Sequence, residues 1–139
     1  MPDTEDEIVE ALSLGTPAYK RMDLVGELGN LNVHLSRPIV ENILVWVLNK
    51  DPNAIVRHEA AFVLGRLHRG SKPLSITSVG VLCETALHDP SGVVRHEAAE
   101  SLGCIPDPRV RKVLEQLLFD ISEDVVETAR IGLERHDLA

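Results

Sequence analysis

At 139 residues the chain suits one domain with a real core, too short for two joined enzyme domains. Fourteen Lys and Arg against 22 Asp and Glu leave a formal charge of -8, which repels nucleic-acid phosphates and anionic lipid and would concentrate a cationic substrate. Aromatic residues are limited to Tyr19, Trp46, Phe62 and Phe119, so Leu, Val, Ile and Ala must build the core, a composition that favours packed helices over a β-sandwich.

The chain opens on the acidic stretch MPDTEDEIVE, and no apolar run approaches the roughly 20 residues that span a bilayer, so a soluble cytoplasmic protein is expected. EDEIVEALSL has helical length and pattern, and Pro17 introduces a second apolar segment ending at Leu28-Gly29. RPIVENILVWVLNK follows, then the segment 51–65, DPNAIVRHEAAFVLG. The basic stretch HRGSKP, residues 68–73, reads as the longest break between helices: an exposed connector, with a gate over a neighbouring site as the alternative. PLSITSVGVLCETALH leads into 89–103, DPSGVVRHEAAESLG, and PRVRKVLEQLLF into 120–133, DISEDVVETARIGL.

Self-similarity organises these segments. Residues 51–65 recur at 89–103 with an ungapped offset of 38 and ten of fifteen positions identical. An offset of 31 carries Asp89, Ala98 and Leu102 onto Asp120, Ala129 and Leu133, and an offset of 36 carries Met22-Asp23 and Leu28-Gly29 onto His58-Glu59 and Leu64-Gly65. The spacing predicts an all-α solenoid of four helix pairs, eight helices in one domain spanning 1–139, with repeats at about 4–30, 37–67, 73–104 and 107–136. Pro17, Pro38, Pro52, Pro73, Pro90 and Pro108 are expected near first turns. Gly15, Gly65, Gly70 and Gly103 are expected as left-handed C-caps.

Only the two central repeats carry His-Glu, at His58-Glu59 and His96-Glu97. At 100° per residue, Val56, Ala60, Val63, Leu64 and Leu67 form the core stripe, and His58 lies almost opposite it. Ala61, Phe62 and Gly65 stand beside His58, and Ala99, Glu100 and Gly103 beside His96. A solvated face would carry Lys, Glu and Gln, so something is expected to approach this one closely. Equivalent positions on adjacent inner helices stand about 8 to 10 Å apart, so His58 and His96 can converge on one ion with Glu59 and Glu97 flanking them.

Two imidazoles with carboxylates and open positions suit non-haem iron in oxygen chemistry; manganese or zinc would also fit. A two-fold homodimer would set a second cluster opposite the first, giving two irons per dimer. The competing account makes both pairs ordinary first-turn residues carried by repeat duplication. His34, His68, His88 and His136 lie near helix ends and suit the C-terminal dipole, and Arg57 and Arg95 fit inter-repeat ion pairs. Cys83 and Cys104 sit in apolar stretches as free thiols.

VRHEAAFVLG and VRHEAAESLG resemble the deoxyhypusine hydroxylase family. That resemblance implies a HEAT-repeat di-iron enzyme of two four-repeat halves, in which His-Glu pairs of the second and third repeats contribute to iron between the halves, and oxygen bound there hydroxylates a modified lysine of a translation factor. It carries over to His58, Glu59, His96 and Glu97 as metal residues, and this chain corresponds to one half. The expectation is an iron-dependent, oxygen-activating oxidoreductase or hydroxylase, completed by homodimerisation and acting on a cationic or lysine-bearing protein. The alternatives are a non-catalytic HEAT scaffold for protein partners and a subunit similar to the HEAT-like phycobilin lyases.

Overall fold

The computed structural model describes residues 4–13, 15–30, 34–70 and 72–138. Eight α-helices form among them: α1 Glu5–Ala11, α2 Ala18–Leu28, α3 Arg37–Lys50, α4 Ala54–Gly70, α5 Ile76–His88, α6 Gly92–Leu102, α7 Pro108–Leu117 and α8 Glu123–Leu138. The described residues contain no strand, and no helix is long and apolar enough to cross a membrane. The helices pack as four consecutive pairs in two layers. α2, α4, α6 and α8 form an inner row in which each contacts the next, while α3, α5 and α7 form the outer row.

Local chemistry sets the helix starts. Thr4 and Ser75 accept the N–H groups of Glu7 and Ser78, and Asp107 accepts that of Arg109 ahead of Pro108. Asn53 caps α4 by accepting from Ile55 and Val56. Of the prolines, Pro38 and Pro108 occupy first turns and Pro17 is an N-cap, whereas Pro52, Pro73 and Pro90 lie in the preceding turns.

Val56, Ala60, Val63, Leu64 and Leu67 are buried as the stripe requires, and they meet Leu44, Val47, Leu82 and Leu102 in one continuous core. Arginines at the edge of this stripe tie the repeats together. Arg21 reaches Asp51 through Nε and Nη2 at 2.8 and 3.1 Å, Arg57 reaches Asp89 at 2.9 and 3.1 Å, and Arg95 reaches Asp120 at 3.0 and 3.2 Å. The same aspartates accept the N–H groups of Asn53, Ser91 and Ser122, holding each inner helix's entry turn. Arg57 and Arg95 also donate to the Asp51 and Asp89 carbonyls of their own repeats. The ion-pair role expected for the repeated arginines is what the structure contains.

The glycines behave differently from expectation. No described glycine has a positive φ. Gly65 is interior to α4, Gly70 is its last residue, and the Gly103 C-cap is right-handed at φ -58°. α4 outruns the expected repeat boundary because nothing stops it: α6 is followed closely by Pro106, whereas no proline follows α4 until Pro73. His68 to Gly70 of HRGSKP are therefore helical, which shortens the expected connector, and Ser71 lies outside the described residues. The remaining connector is anchored, with Arg37 donating to the Lys72 carbonyl at 2.6 Å and the Leu74 N–H donating to His68 Nδ1 at 3.2 Å.

Candidate metal centre

The inner helices approach closely because their facing residues are small. A Cβ on Gly65 would lie 2.2 Å from Ser101 Oγ, and the Ser101 hydroxyl donates to the Ala61 carbonyl at 2.9 Å. Ala61 and Ala99 are fully buried beside this contact. Gly29 against Val63, and Gly103 against Gly132, repeat the arrangement at the other two junctions. The small residues beside each histidine thus serve the neighbouring inner helix. They do not require an outside partner, as their pattern in the sequence suggested.

This approach brings His58 of α4 to Glu97 of α6, with Nε2 and Oε2 3.2 Å apart. Donor atoms of His96, Glu97 and Glu100 lie within 4.8 Å of one another, so α6 gathers an imidazole and two carboxylates at one place. His58 meets this group through Glu97 and not through His96. Glu59 turns the other way, towards α2, where a Cβ on Gly26 would be 3.2 Å from its Oε1. Among the described residues Glu59 makes no hydrogen bond or ion pair, and it is half-buried. Glu100 entered the sequence reading only as a neighbour of His96. Its i, i+4 relation to that histidine was the available signal.

Burial pushes the Glu97 carboxyl above the usual range, helped by the charge of Glu100, while His58, His96 and Arg69 pull it down less strongly. Two carboxylates crowded beside two imidazoles, one carboxylate being buried, form a donor set that a divalent cation relieves. Nitrogen with oxygen suits iron, manganese or zinc. A cavity of about 200 Å³ adjoins the group, lined by His96, Glu100, Gly103, Thr128, Ile131 and Arg135. Ile55, Phe62, Val93 and Ile131 are exposed, and the first three sit three residues before or four after the histidines, placing an apolar rim around the group.

The other expected features stay outside the centre. His88 pairs loosely with Glu84 on α5 at 3.7 Å, and His136 faces the Leu102 carbonyl at 3.5 Å. Cys83 is buried and Cys104 half-buried, both as free thiols, and Arg69 and Arg135 donate to Cys104 Sγ at 3.8 and 3.6 Å. Burial pushes the Cys83 thiol up.

Among solved structures, human deoxyhypusine hydroxylase in complex with glycerol superposes with a TM-score of 0.80 at 24% sequence identity, covering 99% of this chain and 45% of that one. The chain therefore spans about half the length of that structure, and the likeness is one of fold. No curated protein sequence matches it. The family model for HEAT repeats matches residues 41–134, the stretch that holds both His-Glu pairs and two of the three arginine–aspartate ties, and the chain accordingly belongs to the HEAT-repeat family.

Proposed function

We propose that the chain is a metal-dependent, oxygen-activating oxidoreductase of the deoxyhypusine hydroxylase type, with His58, Glu59, His96 and Glu97 as the residues of an iron centre. The observation that carries this reading is the junction of the two His-Glu pairs across α4 and α6, where His58 stands 3.2 Å from Glu97 beside His96. Iron bound there would supply a redox-active Lewis acid with positions left open for oxygen chemistry. The chain's own contribution is to hold the donors. His58 and His96 offer nitrogen from adjacent helices, Glu97 offers a carboxylate between them, and the close helix contact keeps water out from behind. Glu59, which turns towards α2 and away from the other donors, half-buried and without a partner, would face a cationic or lysine-bearing substrate beside the metal.

A second copy of the chain, related by a two-fold axis, would bring an equivalent centre opposite the first and cover the apolar rim of Ile55, Phe62, Val93 and Ile131. That same rim also supports a second reading, in which the inner face is a docking surface for another protein and no chemistry occurs. Metal content separates the two. Protein purified iron-replete should carry about one iron per chain and the His96→Ala variant should lose it, by elemental analysis; a wild-type protein that refuses iron would sink the enzymatic reading. A light-scattering mass of one chain at working concentration would sink the dimer.

A further inference from the structure

We infer that Glu100 is itself a ligand of the bound cation, so that α6 alone supplies three donors, His96, Glu97 and Glu100, and the first ion is held without any residue of a second copy. The inference rests on the metal-binding reading above and changes its donor set. The expectation from sequence was symmetric, two histidines from two helices meeting at one ion. The structure is asymmetric: the mutual 4.8 Å grouping lies wholly on α6, and His58 reaches it only through Glu97. Ligand atoms on opposite sides of one divalent ion are separated by about 4 to 5 Å, given bond lengths of about 2.0 to 2.4 Å. The three α6 donors fall within that span without moving a helix.

Register supports the assignment. The positions equivalent to Glu100 on the other inner helices are Gly26, Phe62 and Ile131, so only α6 carries a carboxylate there. Phe62 and Ile131 are apolar, and Glu100 therefore has no cationic neighbour at its own register on either side. Among the described residues no lysine or arginine pairs with Glu100 or Glu97 within salt-bridge distance, although most arginines of this chain do pair with carboxylates. The cavity between α6 and α8 opens onto His96 and Glu100, leaving the ion's remaining positions reachable by small ligands. In this arrangement a partner copy contributes a second centre and does not complete the first.

The test is cobalt(II) titration of the full-length metal-free chain, following the d–d absorption that reports ligand number and type, with anaerobic iron(II) binding as the parallel measurement. Glu100→Gln should weaken binding by at least about 10- to 100-fold, the loss that removing even an outer-shell partner of a metal ligand brings, and should alter the cobalt spectrum. Glu100→Asp, which keeps the carboxylate, should restore most of the affinity. Glu84→Gln, which removes the carboxylate of the exposed Glu84–His88 pair, should change nothing. Glu100 is exposed, so its substitution leaves the melting midpoint in place and a loss of affinity is not a loss of fold. If wild type binds and Glu100→Gln binds equally well with the same spectrum, the assignment of Glu100 is wrong while the metal centre stands. If wild type takes up neither metal, the metal centre itself is wrong.

Discussion

Substituting Gly65 by alanine tests the claim that helix contact, and not an outside partner, accounts for the small residues of the inner face. The new Cβ would lie 2.2 Å from Ser101 Oγ, 2.7 Å from Ser101 Cβ and 3.2 Å from Ser101 Cα, each inside ordinary contact distance. Rotating the serine hydroxyl relieves only the first of these and gives up its bond to Ala61, which contributes about 1 kcal/mol. The helices cannot slide apart freely, because α4 is backed by Gly29 against Val63 and α6 by Gly103 against Gly132. Overpacking of this kind costs about 1 to 3 kcal/mol, while the better helix propensity of alanine returns about 1 kcal/mol. A net loss of about 1 to 3 kcal/mol corresponds to a fall in melting midpoint of about 3 to 10 °C, at about 0.3 kcal/mol per degree for a chain of this length. Gly80, in the interior of α5, is the matched control, since its added Cβ meets nothing within 4 Å. Gly80→Ala should gain up to about 1 kcal/mol, roughly 3 °C. Thermal melts followed by circular dichroism decide the matter, with Ser101→Gly in the Gly65→Ala background expected to recover part of the loss. A Gly65→Ala protein as stable as Gly80→Ala would refute the packing argument.

Asp89→Ala should cost about 3 to 5 kcal/mol in urea unfolding, because it strands the Arg57 guanidinium, whose side chain is only 11% exposed; Glu134→Ala, at the exposed Arg130 pair, should leave the midpoint unmoved. Burial is the largest force on Glu97 and opposes its ionised form, so Glu97→Gln should melt no lower than wild type at neutral pH without metal while binding cobalt far more weakly. A marked drop in its midpoint would show the carboxylate to be structural. Burial also raises Asp120 and Glu41, but the Arg95 hydrogen bond and charge outweigh it for Asp120, and hydrogen bonds from Ser78 and Ser75 outweigh it for Glu41, leaving both below the ordinary carboxylate range. A depressed folded value means stability that is present above the ordinary value of about 4 and lost as pH falls through the folded one, so urea midpoints should drop below about pH 4. Asp120→Asn should flatten that acid limb, and an unchanged slope would contradict the role given to Arg95.

What could be read from the sequence follows from what periodicity encodes. The core stripe of α4 was legible because 3.6-residue spacing fixes which side chains share a face, and the ties of Arg57 and Arg95 because their offset equals the repeat. The His-Glu pairs were placed on the inner face for the same reason. Periodicity is silent about the distance between helices, however, and that distance sent His58 to Glu97 and Glu59 towards Gly26. It also hid Glu100, which has no counterpart in the other repeats and so could not be found by comparing them. The glycines were misassigned because a helix-ending glycine and a close-contact glycine look alike until the neighbour is known.

The central arginine–aspartate tie has a consequence for how the centre can change. Arg57 and His58 are successive residues of α4, while Asp89 precedes α6 and Glu97 lies on it, so the tie and the donors span the same junction. The pitch of the solenoid between repeats two and three thereby sets how far His58 stands from the α6 donors proposed to hold a metal. Substitutions at the tie would shift His58 against those donors and so tune the surroundings of an ion bound as proposed, leaving the three α6 donors in place.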